Sequence, residues 1–156
     1  MPEDLPDILD RAMNPNVEHI EIKYHNSPTL EQNDNGGCID LYNSNELVLK
    51  KGEFGFIDFG ISMALPQGYD ALILPRSSTF KRWGILLTNS VGYIDNSYRG
   101  TDDKWLACVY ATRDITIPAG TRCFQFRLIK TQPEINFYKV DRLNDKTRGG
   151  FGSTGV

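Results

Sequence analysis

The sequence predicts an all-β fold of the sandwich, jelly-roll or small-barrel kind, and three observations predict it. Apolar residues recur with period two over most of the chain. Turn signals separate these runs at roughly 8–12-residue spacing. Only one short segment carries a helical period. No internal repeat or linker interrupts the pattern, so the chain reads as one domain.

The helical segment comes first. Leu5, Ile8, Leu9 and Ala12 share one helical face, Pro6 suits a first turn and Pro15 closes the segment. A short amphipathic helix is therefore expected over 3–13, within an N-terminal extension of residues 1–16. Strands follow. Ile20, Ile22 and Tyr24 alternate with Glu21 and Lys23; Phe54 and Phe56 alternate; so do Phe59, Ile61, Met63 and Leu65. Further strands are expected at 71–74, 106–111, 115–117, 124–128 and at Ile135 with Phe137. Turns are expected at Asn35-Gly36-Gly37, Lys51-Gly52, Pro66-Gln67-Gly68 and Pro118-Ala119-Gly120. The β domain thus spans 17–145, and residues 146–156 form a flexible Gly-rich tail.

Composition narrows the function classes. Seventeen Lys+Arg against 20 Asp+Glu leave a net charge of −3, which argues against a general nucleic-acid binder. No apolar run reaches the 18–20 residues of a membrane helix, and no signal peptide is visible. Cys38, Cys108 and Cys123 are odd in number and widely spaced, as expected of reduced thiols in a cytoplasmic protein. With only His19 and His25, both expected on a strand's solvent face, the sequence argues against a His-based dyad or a His/Cys zinc site.

Four segments break the alternation with polar residues. Asp40 stands alone among apolar neighbours in Gly36–Tyr42, as a turn cap or a functional acid. At Leu74–Arg82 an apolar strand stops at Pro75, and Arg76, Ser77, Ser78 and Thr79 follow. Such a helix start presents free N–H groups to an anion; Lys81 and Arg82 read as a solvated face. In Leu87–Gly100, Asp95 follows Val91, Tyr93 and Ile94. It reads either as a turn-forming Asp-Asn-Ser or as a shielded general base whose basicity desolvation raises. In Gly120–Phe126, Gln125 falls among apolar residues, where a buried amide needs partners or a water.

The tail adds a fifth segment. Arg148-Gly-Gly-Phe-Gly-Ser-Thr-Gly-Val156 exposes many backbone N–H groups, which can wrap an anion. Arg148 offers a bidentate phosphate donor and Phe151 a flat face for a ring. A ligand bearing both phosphate and base suits it.

In this order, the segments resemble the trimeric deoxyuridine triphosphatase (dUTPase) family. The matching residues are Asp40-Leu41, Arg76-Ser77-Ser78, Gly92-Tyr93-Ile94-Asp95-Asn96-Ser97-Tyr98-Arg99-Gly100, Gly120-Thr121-Arg122-Cys123-Phe124-Gln125 and Phe151-Gly152-Ser153-Thr154-Gly155. The resemblance covers about residues 18–156 and implies a distorted jelly roll that assembles as a homotrimer with shared active sites. It implies hydrolysis of dUTP to dUMP and pyrophosphate, with Mg²⁺ held mainly by the triphosphate.

By that resemblance Asp95 activates the attacking water and Gln125 helps hold it. Arg76, Ser77 and Ser78 grip phosphate oxygens, and Asp40 reaches the metal through water only. Tyr98 packs under the deoxyribose and excludes a 2′-hydroxyl. Backbone groups from Gly92, Tyr93 and Ile94 onward read the uracil edge, and Asn89 assists their hairpin. Phe151 and Gly152 close over the base and bring Ser153 and Thr154 to the phosphates of another subunit's site. It implies a cytoplasmic location, in a bacterium or a phage-infected host.

The chain departs from the family pattern in places. Arg148 lies three residues before Phe151, and Lys146 occupies the five-back position where the family's closing arginine usually stands. Arg148 is favoured for the γ-phosphate, because a guanidinium forks onto phosphate oxygens. The stretch Thr101–Trp105 is longer and more acidic than usual, and Trp105 is expected against the base or in the core. Residues 1–16 match nothing in the family. A dCTP deaminase, which shares the fold and an Arg-Ser-Ser segment, uses a glutamate that 104–112 lack. A regulatory protein that binds the nucleotide to switch a partner surface is the other class considered.

Overall fold

The computed structural model describes residues 15–143, 146–152, 154 and 155. The expected helix over 3–13 lies outside them, as does Ser153. Eleven strands and one short helix make up the regular structure described: β1 Glu21–Tyr24, β2 Ile39–Leu41, β3 Leu47–Leu49, β4 Phe54–Asp58, β5 Ile61–Ala64, β6 Tyr69–Pro75, α1 Thr79–Trp83, β7 Ile85–Leu87, β8 Gly92–Ile94, β9 Leu106–Ala111, β10 Ile115–Ile117 and β11 Phe124–Lys130.

All pairings are antiparallel, in a four-stranded sheet ordered β2-β11-β6-β8, a three-stranded sheet β4-β9-β7 and the pairs β1-β5 and β10-β3. The all-β expectation holds. One apolar core joins the sheets: Phe124 of β11 meets Phe59 edge-on at 6.0 Å, and Phe126 meets Trp105 at 5.2 Å. Backbone approach is close at Gly60, where a Cβ would sit 2.0 Å from the Asn26 carbonyl oxygen. Gly60 also has φ of +65°, so a side chain is excluded on both counts.

Three sequence expectations change. Ile135 and Phe137 form no strand; Phe137 is 91% exposed. Alternation marks residues that need a cover, and among the described residues no neighbouring strand supplies a ladder. His19 and His25 lie outside β1 and are half-buried; His25 Nε2 is 2.9 Å from the Ser62 hydroxyl. Phe54 and Phe56 do alternate, but toward solvent. With Leu86, Leu106 and Tyr110 they form an exposed apolar face on the three-stranded sheet, whose other face buries Ile57, Ala107, Val109 and Ile85.

Candidate active site

Three strands of the large sheet build a cationic corner. Gln125 of β11 lies in register between Asp40 of β2 and Leu74 of β6. Pro75 ends β6, and Arg76 turns back so that its N–H donates to the Thr79 hydroxyl at 2.9 Å. That hydroxyl donates in turn to the Cys123 carbonyl at 2.5 Å. Ser78 occupies the N-cap position of α1 without a side-chain capping bond. The expected hydroxyl cap is thus absent: Ser78 makes no capping bond, and the Thr79 hydroxyl joins the turn to β11 instead. At five residues α1 is also too short for much of a dipole.

The charges converge on Asp40. Arg76 Nε lies 3.1 Å from Asp40 Oδ1 and Arg122 Nη1 3.2 Å from Oδ2, and the carboxylate side chain is only 17% exposed. Two guanidiniums against one carboxylate leave one uncompensated positive charge. A cavity of about 280 Å³ opens here, lined by Arg76, Ser78, Thr79, Arg82 and Arg122. Ser77 is exposed on the same turn. Gln125 is half-buried and donates its amide to the Pro75 carbonyl at 3.2 Å. Burial pushes the Cys123 thiol up to about 11 despite Arg76 and Arg82, so it stays protonated and unreactive. All three cysteines are free, as expected.

A second cavity, about 380 Å³, lies at the end of β8 and is lined by Tyr93, Asp95, Ser97, Tyr98, Lys104 and Leu106. Strand β8 sits so close to β6 that a Cβ on Gly92 would lie 2.8 Å from Ile73 Cβ. Tyr98 donates its phenol to the Lys104 carbonyl at 2.6 Å, which fixes the ring across the loop. Burial raises the pKa of that phenol, helped by Asp103 and Asp58. The Tyr93 phenol, bonded to Asp70, is likewise raised, chiefly by that bond. Asn89 is exposed in the turn before β8 and its carbonyl accepts the Val91 N–H at 2.6 Å.

Asp95 is not shielded. It is exposed, and its Oδ1 accepts the Ser97 hydroxyl at 2.6 Å and the Ser97 N–H at 2.8 Å. These bonds, the hydroxyl's first, lower its pKa and outweigh burial. Of the two readings of this segment, the turn is the observed one, and the desolvated, more basic carboxylate gives way to an ionised one held by an Asx turn. Trp105 is fully buried against Phe126, with its chain bonded to Ile61 and Phe59. Of its two expected places, the core is the observed one.

The Asp95 turn meets β6 at Asp70, at its start, whereas Gln125 pairs with Leu74 near its end and Arg76 follows Pro75; the two cavities share no lining residue. In the tail, Phe151 is fully exposed with φ of +43°, and Lys146 and Arg148 are exposed too. Three residues without a sequence-assigned role organise the site. Arg122 is the second clamp on Asp40, 82 positions away. Asp70 and Asn96 stitch the Asp95 turn to the sheet. An acid leading into the apolar run of β6 is the one signal that could have drawn attention to Asp70.

Among the described residues no three His, Cys, Asp or Glu side chains gather to hold a metal, and no helix is long and apolar enough to cross a membrane. The dUTPase family model matches residues 23–155. The chain is 44% identical over 139 residues to the SPbeta prophage-derived deoxyuridine 5′-triphosphate nucleotidohydrolase YosS of Bacillus subtilis, covering 88% of this chain and 98% of that one. It is 37% identical over 118 residues to the deoxyuridine 5′-triphosphate nucleotidohydrolase of Thermobifida fusca, of which it spans 65%. In fold it is similar to the Staphylococcus bacteriophage 80alpha dUTPase with dUPNHPP, at a TM-score of 0.75 and 19% identity, covering 90% of this chain and all of that one. Phage dUTPases are described in that work as controlling transfer of virulence genes. A family match across most of the chain, joined to a 44% identical relative of nearly equal span, makes this chain a member of the dUTPase family of nucleotide hydrolases.

Proposed function

We propose that the protein hydrolyses dUTP, as its magnesium complex, to dUMP and pyrophosphate, in a homotrimer whose sites are shared between subunits. One observation carries this reading above the others. The Asp95 carboxylate is exposed, kept ionised by Ser97, and set in the wall of the cavity that Tyr98 braces. Asp95 takes a proton from water, whose oxygen attacks the α-phosphorus. The bond from that phosphorus to the bridging oxygen breaks, and pyrophosphate leaves with the electron pair.

The remaining roles follow the chemistry of each group. Arg76, Ser77 and Ser78 neutralise charge on the phosphate oxygens, and Arg122 keeps Arg76 in place through Asp40. Gln125, beside them, orders the attacking water. A magnesium ion bound with the substrate would offset the triphosphate charge, and Asp40, whose oxygens already meet two guanidiniums, would reach it only through water. Tyr98 packs against the deoxyribose, while Gly92, Tyr93 and Ile94 present backbone to the uracil edge and Asn89 holds their turn. Phe151 covers the base. Arg148, Gly152, Ser153 and Thr154 close on the phosphates, with Arg148 rather than Lys146 at the γ-phosphate.

The separation of the two cavities supports a site completed by a second copy of the chain. Leu106 belongs both to the Asp95 cavity and to the exposed apolar face of β4-β9-β7. A second copy docked on that face sits beside the cavity and can bring its Arg76 corner to Asp95. A regulatory protein partner is the second reading, motivated by the description of the phage relatives. A purely regulatory protein binds dUTP and releases no pyrophosphate.

Asp95→Asn tests the base directly. Pyrophosphate release should fall by about 10²–10⁴-fold, the range for a lost general base, while dUTP still binds. Turnover near the wild-type rate would assign the proton to another group.

A further inference from the structure

Asp70 is a buried carboxylate to which the proposed reaction gives no task. It lies at the start of β6 with 3% of its surface exposed. A carboxylate at that depth is costly unless its oxygens are hydrogen-bonded. Both are: Oδ1 accepts the Asn96 N–H at 2.8 Å, and Oδ2 accepts the Tyr93 phenol.

These two partners flank Asp95 in the chain, with only Ile94 between Tyr93 and the base. Ile94 itself pairs with Ala71 in the β6 ladder. The Asn96 side chain extends the anchorage, donating to the carbonyls of Pro66 at 2.9 Å and Tyr69 at 2.7 Å. One buried carboxylate thus ties the chain on both sides of Asp95 to the start of β6. Ser97, the donor to Asp95 itself, lies within the same turn. It can shape that turn but cannot place it on the sheet.

We infer that Asp70 is a positioning residue for Asp95, fixing where the base stands by holding Tyr93 and Asn96 on either side of it. The inference rests on the proposed hydrolysis. A base displaced by an ångström loses rate without losing nucleotide contacts, because its interaction is made in the transition state.

The test is steady-state pyrophosphate release from Mg–dUTP by the full chain, with a melting curve for each variant. Asp70→Asn keeps the shape and an acceptor for the Asn96 N–H but removes the charge, and it can meet the phenol only as a donor, which weakens the tie. Its kcat should fall about 10- to 100-fold, with KM for dUTP within about threefold of wild type. Tyr93→Phe removes the bond outright from a half-exposed tyrosine that the core does not need, and its kcat should fall about 2- to 10-fold. A folded Asp70→Asn protein with wild-type kcat overturns the inference. So does a fall in kcat/KM carried by KM alone. If Asp70→Asn does not fold, wild-type kcat in Tyr93→Phe overturns it. A wild type that releases no pyrophosphate from dUTP overturns the proposed reaction and this inference together, whereas an active wild type with unaffected variants overturns the inference alone.

Discussion

The Ser97 hydroxyl donates to Asp95 Oδ1 at 2.6 Å, across a turn of three residues. Donors to the ionised form of a carboxylate hold its pKa down. Removing the hydroxyl in Ser97→Ala leaves the backbone donor and should raise the Asp95 pKa. The acidic limb of kcat/KM, which follows loss of the ionised base, should move to higher pH. A profile superimposable on wild type would mean that another group sets that limb.

The bond from the Tyr98 phenol to the Lys104 carbonyl, 2.6 Å long, holds the ring in place. Discrimination against a 2′-hydroxyl then depends on the ring's bulk. Tyr98→Ala should narrow the dUTP-to-UTP ratio of kcat/KM by about 10- to 200-fold, the range for a changed apolar contact. Tyr98→Phe keeps the bulk and should keep most of the ratio. An unchanged ratio in the alanine variant would remove Tyr98 from sugar selection.

Phe56 is 59% exposed in the middle of an apolar sheet face. A charge there is poorly tolerated in an interface core but harmless on a free surface. In the proposed trimer this face is an interface, so Phe56→Lys should shift the sedimenting species from trimer to monomer and abolish activity. A trimer that persists would place the interface elsewhere.

The proposed sharing of sites between subunits makes a complementation prediction. Arg76→Ala and Asp95→Asn should each be nearly inactive alone. Co-assembled at equal amounts, they should recover about one quarter of wild-type activity, since random cyclic trimers combine one intact corner with one intact Asp95 in that fraction of sites. No recovery would mean that each protomer completes its own site.

What was legible in the sequence was local. Strand β9 and its buried face of Ala107, Val109 and Ala111 follow from alternation, because one face of a strand must be covered. The direction of Phe54 and Phe56 does not follow from it, because alternation does not say whether the cover is this chain or another. Ile135 and Phe137 fail as a strand for a related reason: a period names a face but supplies no ladder partner. At the site, the motif residues were legible as types and their environments were not. Asp95 read equally as a turn former and as a shielded base, and only the folded turn shows that the two donors lowering its pKa sit two residues on. The ties of Asp70 to Tyr93 and Asn96 span 23 and 26 positions, and that of Asp40 to Arg122 spans 82. Only the folded sheet brings those residues together.

The account turns on one reaction, and pyrophosphate release from dUTP, dCTP, dTTP and UTP measured side by side with Mg²⁺ tests it most directly. Strong release from dUTP with little from the other three is the predicted result. Binding of dUTP without release from any of them would contradict it.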